Sequence, residues 1–238
     1  MQKTPALNLP PVVLWFALGL IAVHGVRHLL TEEQDLWVLL LLAFVPARYG
    51  ELSAQLPGGA AAAFWSPATY ALLHADGVHL FVNLVWMASF GSALARRFGT
   101  SRFLVLALLA AVSGAAAHYI VHPGEAVPVI GASAAVSGMI AATARFAFAP
   151  GVRLGAPGAM ERVRMRAEPL LAVLRNPRAL AFILVWFAVN LLFGLTEGLV
   201  PGASGPIAWE AHIGGFLAGL LAFPLLDPVG RARDPLAK

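Results

Sequence analysis

Apolar residues in this chain fall in long, nearly unbroken blocks, and polar residues collect in the gaps between them. Six blocks, at residues 12–29, 78–95, 103–121, 130–149, 180–196 and 207–226, approach the roughly 20 residues a helix needs to cross a bilayer. A shorter run, Leu36 to Val45, has at most about half that length and is stopped by Pro46, Arg48 and Glu51. It either lies in the interface or dips in and returns. Trp65, Pro67 and Tyr70 then read as an interfacial anchor before the second block. The first block leads into His24, Arg27 and His28 without a small-residue cleavage site, which predicts a retained span and not a signal peptide. The pattern predicts an all-α, polytopic membrane protein of six spans, forming one domain over 1–238 with no internal repeat.

Composition agrees and narrows the chemistry. With 59% hydrophobic and 12% charged residues and a mean hydropathy of +0.78, the chain has too little polar surface for a soluble globule of its length. The absence of cysteine excludes disulfides, thiolate metal sites and a cysteine nucleophile. A net charge of +4 would suggest nucleic acid in a soluble protein, but here orientation explains the basic residues better, and no nucleic-acid partner is expected. With the N-terminus inside, 14 of the 16 Lys and Arg fall in cytoplasmic segments, leaving only Arg27 and Arg48 outside. Both termini are therefore expected in the cytoplasm. The long basic loop from Pro150 to Arg178 faces the same side, as a solvated linker or in contact with anionic lipid.

In this topology spans two, four and six all run from outside to inside, so their N-terminal ends share one depth beneath the external surface. Polar groups stand at each end. Span two brings His79 and Asn83, at i and i+4 on one face; span four brings Ser133; span six brings His212. Taken singly, each has a plainer reading, since Ser, Asn and His in membrane helices commonly serve packing or helix–helix hydrogen bonds. Together they supply a nucleophile, a general base and an oxyanion donor. Small residues offer a way to bring them close. Ser133, Ser137, Ala141 and Ala144 share one face of span four, and His212, Gly215 and Gly219 share one face of span six. No acidic residue stands near His212 except Glu210, which is expected to face water, so a dyad is expected. His74, His79 and His212 lack a carboxylate or thiolate to complete a zinc set, and neither metal nor cofactor is expected.

At these residues the chain resembles the rhomboid family of intramembrane serine proteases. Gly131-Ala132-Ser133 is similar to the family's Gly-x-Ser nucleophile motif, and Ala211-His212-Ile213-Gly214-Gly215 to its Ala-His-x-Gly-Gly base motif. His79-Leu80-Phe81-Val82-Asn83 is similar to its His-x-x-x-Asn oxyanion motif, with His74 matching a further histidine common in the family. The resemblance covers all six spans and includes a half-inserted loop between the first two. It implies a serine endopeptidase in which Ser133 is the nucleophile, His212 the general base, and Asn83 and His79 stabilise the oxyanion. The implied substrates are single-pass transmembrane proteins cut near the outer membrane face. The chain departs from many relatives at Ala134, where glycine is common, at Ser137, where an aromatic packs against the base, and at Ser66, where bacterial relatives often carry arginine after the tryptophan. A minimal core with short tails suggests a bacterial inner membrane. Two other classes fit parts of the pattern: a catalytically inactive relative that binds transmembrane helices, and a transporter. A transporter would place its polar groups at midplane on broken helices.

Overall fold

The computed structural model describes residues 8–50, 52–148, 166–196 and 208–231. Among the described residues all regular structure is helical, apart from an isolated antiparallel bridge between Phe44 and Val129. Helix α1 (Pro11–Arg27) begins on a proline, whose missing N–H a first turn does not need. Helix α2 (Glu32–Leu42) opens on a capping box, with Thr31 Oγ1 accepting from the Gln34 N–H and the Gln34 side chain accepting from the Thr31 N–H. After a loop and the short α3 (Ala62–Thr69), Asp76 caps α4 (Gly77–Trp86) by accepting from the His79 N–H at 2.7 Å.

Helix α4 passes through a π-turn at Met87–Gly91 into α5 (Ser92–Val121). The sequence places a connecting loop at residues 96–102, and within it the structure has two helical arms that meet at Gly99. The turn is confined to Gly99, whose φ of 74° is open to glycine at little cost. Helix α6 (Ser133–Ala147) follows, then α7 (Leu170–Arg175), α8 (Pro177–Leu195), α9 (Trp209–Leu226) and α10 (Pro228–Arg231). The Asn176 side chain caps α8.

Helix α6 is the centre, buried continuously from Ala134 to Phe146. Helix α9 lies against it at backbone distance. A Cβ added to Gly215 would stand 2.1 Å from the Ala134 carbonyl oxygen, and one on Gly219 would stand 2.1 Å from that of Gly138. The sequence places Ser133 and Ser137 on this seam. The structure shifts it by one residue, to Ala134 and Gly138, because the smallest side chains take the closest approach. The neighbouring Gly214 faces the other way, where a Cβ would stand 2.4 Å from the Ser113 carbonyl of α5. Each glycine of the pair thus seats α9 on a different helix.

The outer faces are apolar. Leu217, Leu221 and Leu225, at i, i+4 and i+8 on α9, are exposed, as are Leu104, Leu108 and Leu109 on α5. Exposed apolar stripes of this kind suit hydrocarbon and not water. Two helical stretches, 77–121 and 209–226, are long and apolar enough to cross a bilayer, and α1 and the run 177–192 are apolar but shorter.

Both arginines that the sequence leaves on the external side are held by the protein itself. Arg27 makes a two-pronged pair with Asp35 at 2.7 and 2.9 Å and donates to the His74 carbonyl at 2.9 Å. The buried Arg48 donates to the carbonyls of Pro57, Gly59 and Leu40, closing the loop between α2 and α3. At the opposite end, Arg97 and Asp227 form a buried pair with both contacts at 2.8 Å, tying α5 to the C-terminus of α9. Several residues of the topology argument lie outside the described residues: Lys3, Glu51, Arg153, Arg162, Arg164, Glu197, Arg233 and Lys238.

Candidate active site

Ser133 is the first residue of α6 and is half-buried, so its hydroxyl stands at a helix start with access from outside the bundle. The segment leading to it is anchored from three directions. Phe44 and Val129 exchange backbone hydrogen bonds at 3.1 and 2.8 Å, Ala47 N–H donates to the Glu125 carbonyl, and Gly131 N–H donates to the Tyr70 carbonyl at 3.0 Å. Tyr70 is itself buried and donates its hydroxyl proton to the Ala111 carbonyl.

Gly131 brings the next group in. Its φ of 122° favours glycine, and a Cβ there would stand 2.7 Å from His79 Nε2 and 3.5 Å from Ser133 Oγ. Only a residue without a side chain lets the His79 ring and the Ser133 hydroxyl share this space. His79 Nδ1 accepts from the Ala75 N–H at 3.5 Å, which leaves its proton on Nε2, the atom facing Gly131. That nitrogen and the Ser133 hydroxyl both stand beside Gly131. His74 packs edge-on against His79, with ring centroids 5.0 Å apart, and its Nε2 accepts from the Ala132 N–H at 3.5 Å.

Asn83 lies one turn further along α4, buried, donating one of its two amide protons to the His79 carbonyl at 2.9 Å. Ser137 is buried and donates its hydroxyl proton to the Ser133 carbonyl at 2.7 Å, so it is satisfied within α6. His212 is buried one turn before Gly215, at the level where α9 meets Ala134. No hydrogen bond joins Ser133 Oγ to His212 among the described residues; His212 Nδ1 meets Asn190 Oδ1 of α8 instead.

Asn190 is a residue the motifs do not contain. Its Nδ2 donates to the Trp186 carbonyl at 2.7 Å, which fixes the amide so that its oxygen faces the imidazole. The proton of His212 then sits on Nδ1, leaving a lone pair on Nε2. The available signal was a lone amide within an otherwise apolar block, which hydrocarbon disfavours unless it has a partner.

The family described as Rhomboid domain matches residues 61–227, which takes in α3 to α9 with His74, His79, Asn83, Ser133, Asn190 and His212. The chain belongs to the rhomboid family. It is therefore an integral membrane protein. Rhomboid-like protease 3 of Toxoplasma gondii is 25% identical to it over 218 residues, covering 91% of this chain and 69% of the relative. Rhomboid protease GluP of Bacillus subtilis (strain 168) is 34% identical over 79 residues, covering 33% of this chain and 15% of the relative. The chain thus matches only a small part of that second, longer rhomboid protein.

One expectation fails here. Glu210 does not face water but is buried between α9 and α5, with Oε1 2.9 Å from His122 Nε2 and Oε2 3.6 Å from His118 Nδ1. Hydrogen bonds to Glu210 and then to Glu125 push the His122 imidazole pKa upward. The partners come from a helix some 90 residues earlier in the chain, a pairing that local sequence does not reveal.

Proposed function

We propose that this rhomboid protein is an intramembrane serine endopeptidase that cuts single-pass transmembrane substrates near the outer membrane face, with Ser133 as nucleophile and His212 as general base. The observation that carries the reading is the convergence at Gly131 and Ala134. There α9 meets the first turn of α6 at backbone distance through Gly215, and across Gly131 the His79 ring from the first turn of α4 shares space with the Ser133 hydroxyl. The architecture we propose is a single domain over 1–238 with six spans, both termini cytoplasmic, in a bacterial inner membrane. The arms of 77–121 on either side of Gly99 are spans two and three, and α1, α6, α8 and α9 are the others.

In this mechanism Asn190 Oδ1 accepts from Nδ1–H of His212 and leaves Nε2 to take the proton from Ser133 Oγ as it attacks the scissile carbonyl. The oxyanion is met by His79 Nε2–H, the second amide proton of Asn83 and the Ser133 N–H. His212 then protonates the leaving amine, and water entering from the external side hydrolyses the acyl-enzyme. A catalytic hydrogen bond that is open in the resting protein commonly tightens when substrate binds.

A fluorophosphonate probe tests this reading. It should form an adduct that peptide mapping places on Ser133, absent from Ser133→Ala and strongly reduced in His212→Ala. A folded wild-type protein that stays unlabelled would support the inactive helix-binding relative.

A further inference from the structure

Outside the proposed active site, the external end of α5 and the first turn of α9 bring together two imidazoles and a carboxylate that the peptidase mechanism does not use. His118 and His122 stand at i and i+4, their rings tilted 30° with centroids 4.6 Å apart, and Glu210 reaches between them. One ligand atom from each lies within 4.8 Å of the others.

We propose that His118, His122 and Glu210 form a binding site for a divalent transition-metal ion of the zinc class, clamping α5 to α9. Three features separate it from an ordinary hydrogen-bonded cluster. Nitrogen and oxygen donors around zinc, at about 2.1 Å from the ion, stand roughly 3.4 Å apart, and the Glu210 contacts of 2.9 and 3.6 Å already bracket that spacing. His118 Nδ1 is buried and has no hydrogen-bond partner among the described residues, yet it is aimed at the carboxylate. Behind His122, Glu125 Oε1 sits 2.7 Å from Nδ1, as a carboxylate behind a ligating imidazole does to fix its tautomer, and Nε2 faces Glu210, where an ion would replace the proton of their hydrogen bond. His122 is partly exposed, which gives an ion a route in from the external side. None of His74, His79 and His212 takes part. The site's existence is independent of the peptidase reading.

The test is zinc titration of the full chain, purified without a polyhistidine tag, against a chromophoric chelator. One ion per chain is expected to bind saturably and to raise the melting temperature. His122→Ala and Glu210→Gln should abolish saturable binding, and Glu125→Gln should weaken it by about 10–100-fold. The pair His24→Ala/His28→Ala should leave it unchanged, although those rings also face each other with their Nε2 atoms 3.1 Å apart. Zinc-edge X-ray absorption on the wild-type protein should show two imidazole ligands, and it decides the matter even where a variant fails to fold. No saturable binding, binding that survives His122→Ala and Glu210→Gln, loss in the His24→Ala/His28→Ala protein, or an all-oxygen shell would overturn the proposal.

Discussion

At the scale of single residues, Ser133, His79 and Asn83 divide the proposed work according to what their surroundings leave free. Asn83 has one amide proton committed to the His79 carbonyl, so it can give one more to an oxyanion, alongside His79 and a backbone N–H. Asn83→Ala should therefore lower kcat by about 10²–10³, the usual loss for one oxyanion donor, while probe labelling of Ser133 persists. Unchanged turnover would remove Asn83 from the mechanism. In the proposed mechanism Asn190 acts through His212 and not on substrate. Asn190→Ala should lower kcat at least tenfold, part of the roughly 10²–10⁴ that a positioned base supplies, with KM little altered. Asn190→Asp, which keeps an oxygen to accept from Nδ1–H, should recover most of it. Equal kcat in Asn190→Ala and the wild type would show that the imidazole needs no such support.

At the scale of elements, the decisive contact is helix against helix without intervening side chains. Gly215 faces the Ala134 carbonyl and Gly214 faces that of Ser113. A methyl group on Gly215 meets backbone on a buried helix that cannot retreat, so Gly215→Ala should cost at least the roughly 1–3 kcal/mol of ordinary overpacking. It should also separate Ser133 from His212. Thermal unfolding with probe labelling checks both, and a Gly215→Ala protein with wild-type stability and labelling would show that the seam is looser than described. Much of this was legible in the chain. Small residues at i and i+4 on two apolar blocks announce a close crossing, and the Gly-x-Ser, His-x-x-x-Asn and Ala-His-x-Gly-Gly spacings put Ser133, His79 and His212 in the first turns of three helices, where the structure has them. Gly215 and Gly219 touch as the pattern places them, but the register of α6 was not legible, because a one-residue rotation of that helix preserves the pattern. The burial of Glu210 and the approach of Asn190 depend on partners distant in sequence.

At the scale of the molecule, orientation links the charges to the chemistry. Arg27 and Arg48, the two exceptions to the basic-residue pattern in the proposed orientation, are held by Asp35 and by backbone carbonyls, so they fasten loops and weigh little as topological signals. In the proposed arrangement the Asp76-capped start of α4, the anchored start of α6 and the start of α9 lie on one side, with Ser133 just beneath it. A substrate helix hides its carbonyls in internal hydrogen bonds and must unwind before Ser133 can attack, which favours cleavage at the outer boundary, next to helix-weakening residues. The most direct measurement is mass spectrometry of the products formed from a single-pass substrate in proteoliposomes by the wild type and by Ser133→Ala. The expected result is cleavage near the external boundary, after a small residue such as Ala, by the wild type alone. Cuts in the cytoplasmic half of the substrate helix, or the same products from Ser133→Ala, would contradict it.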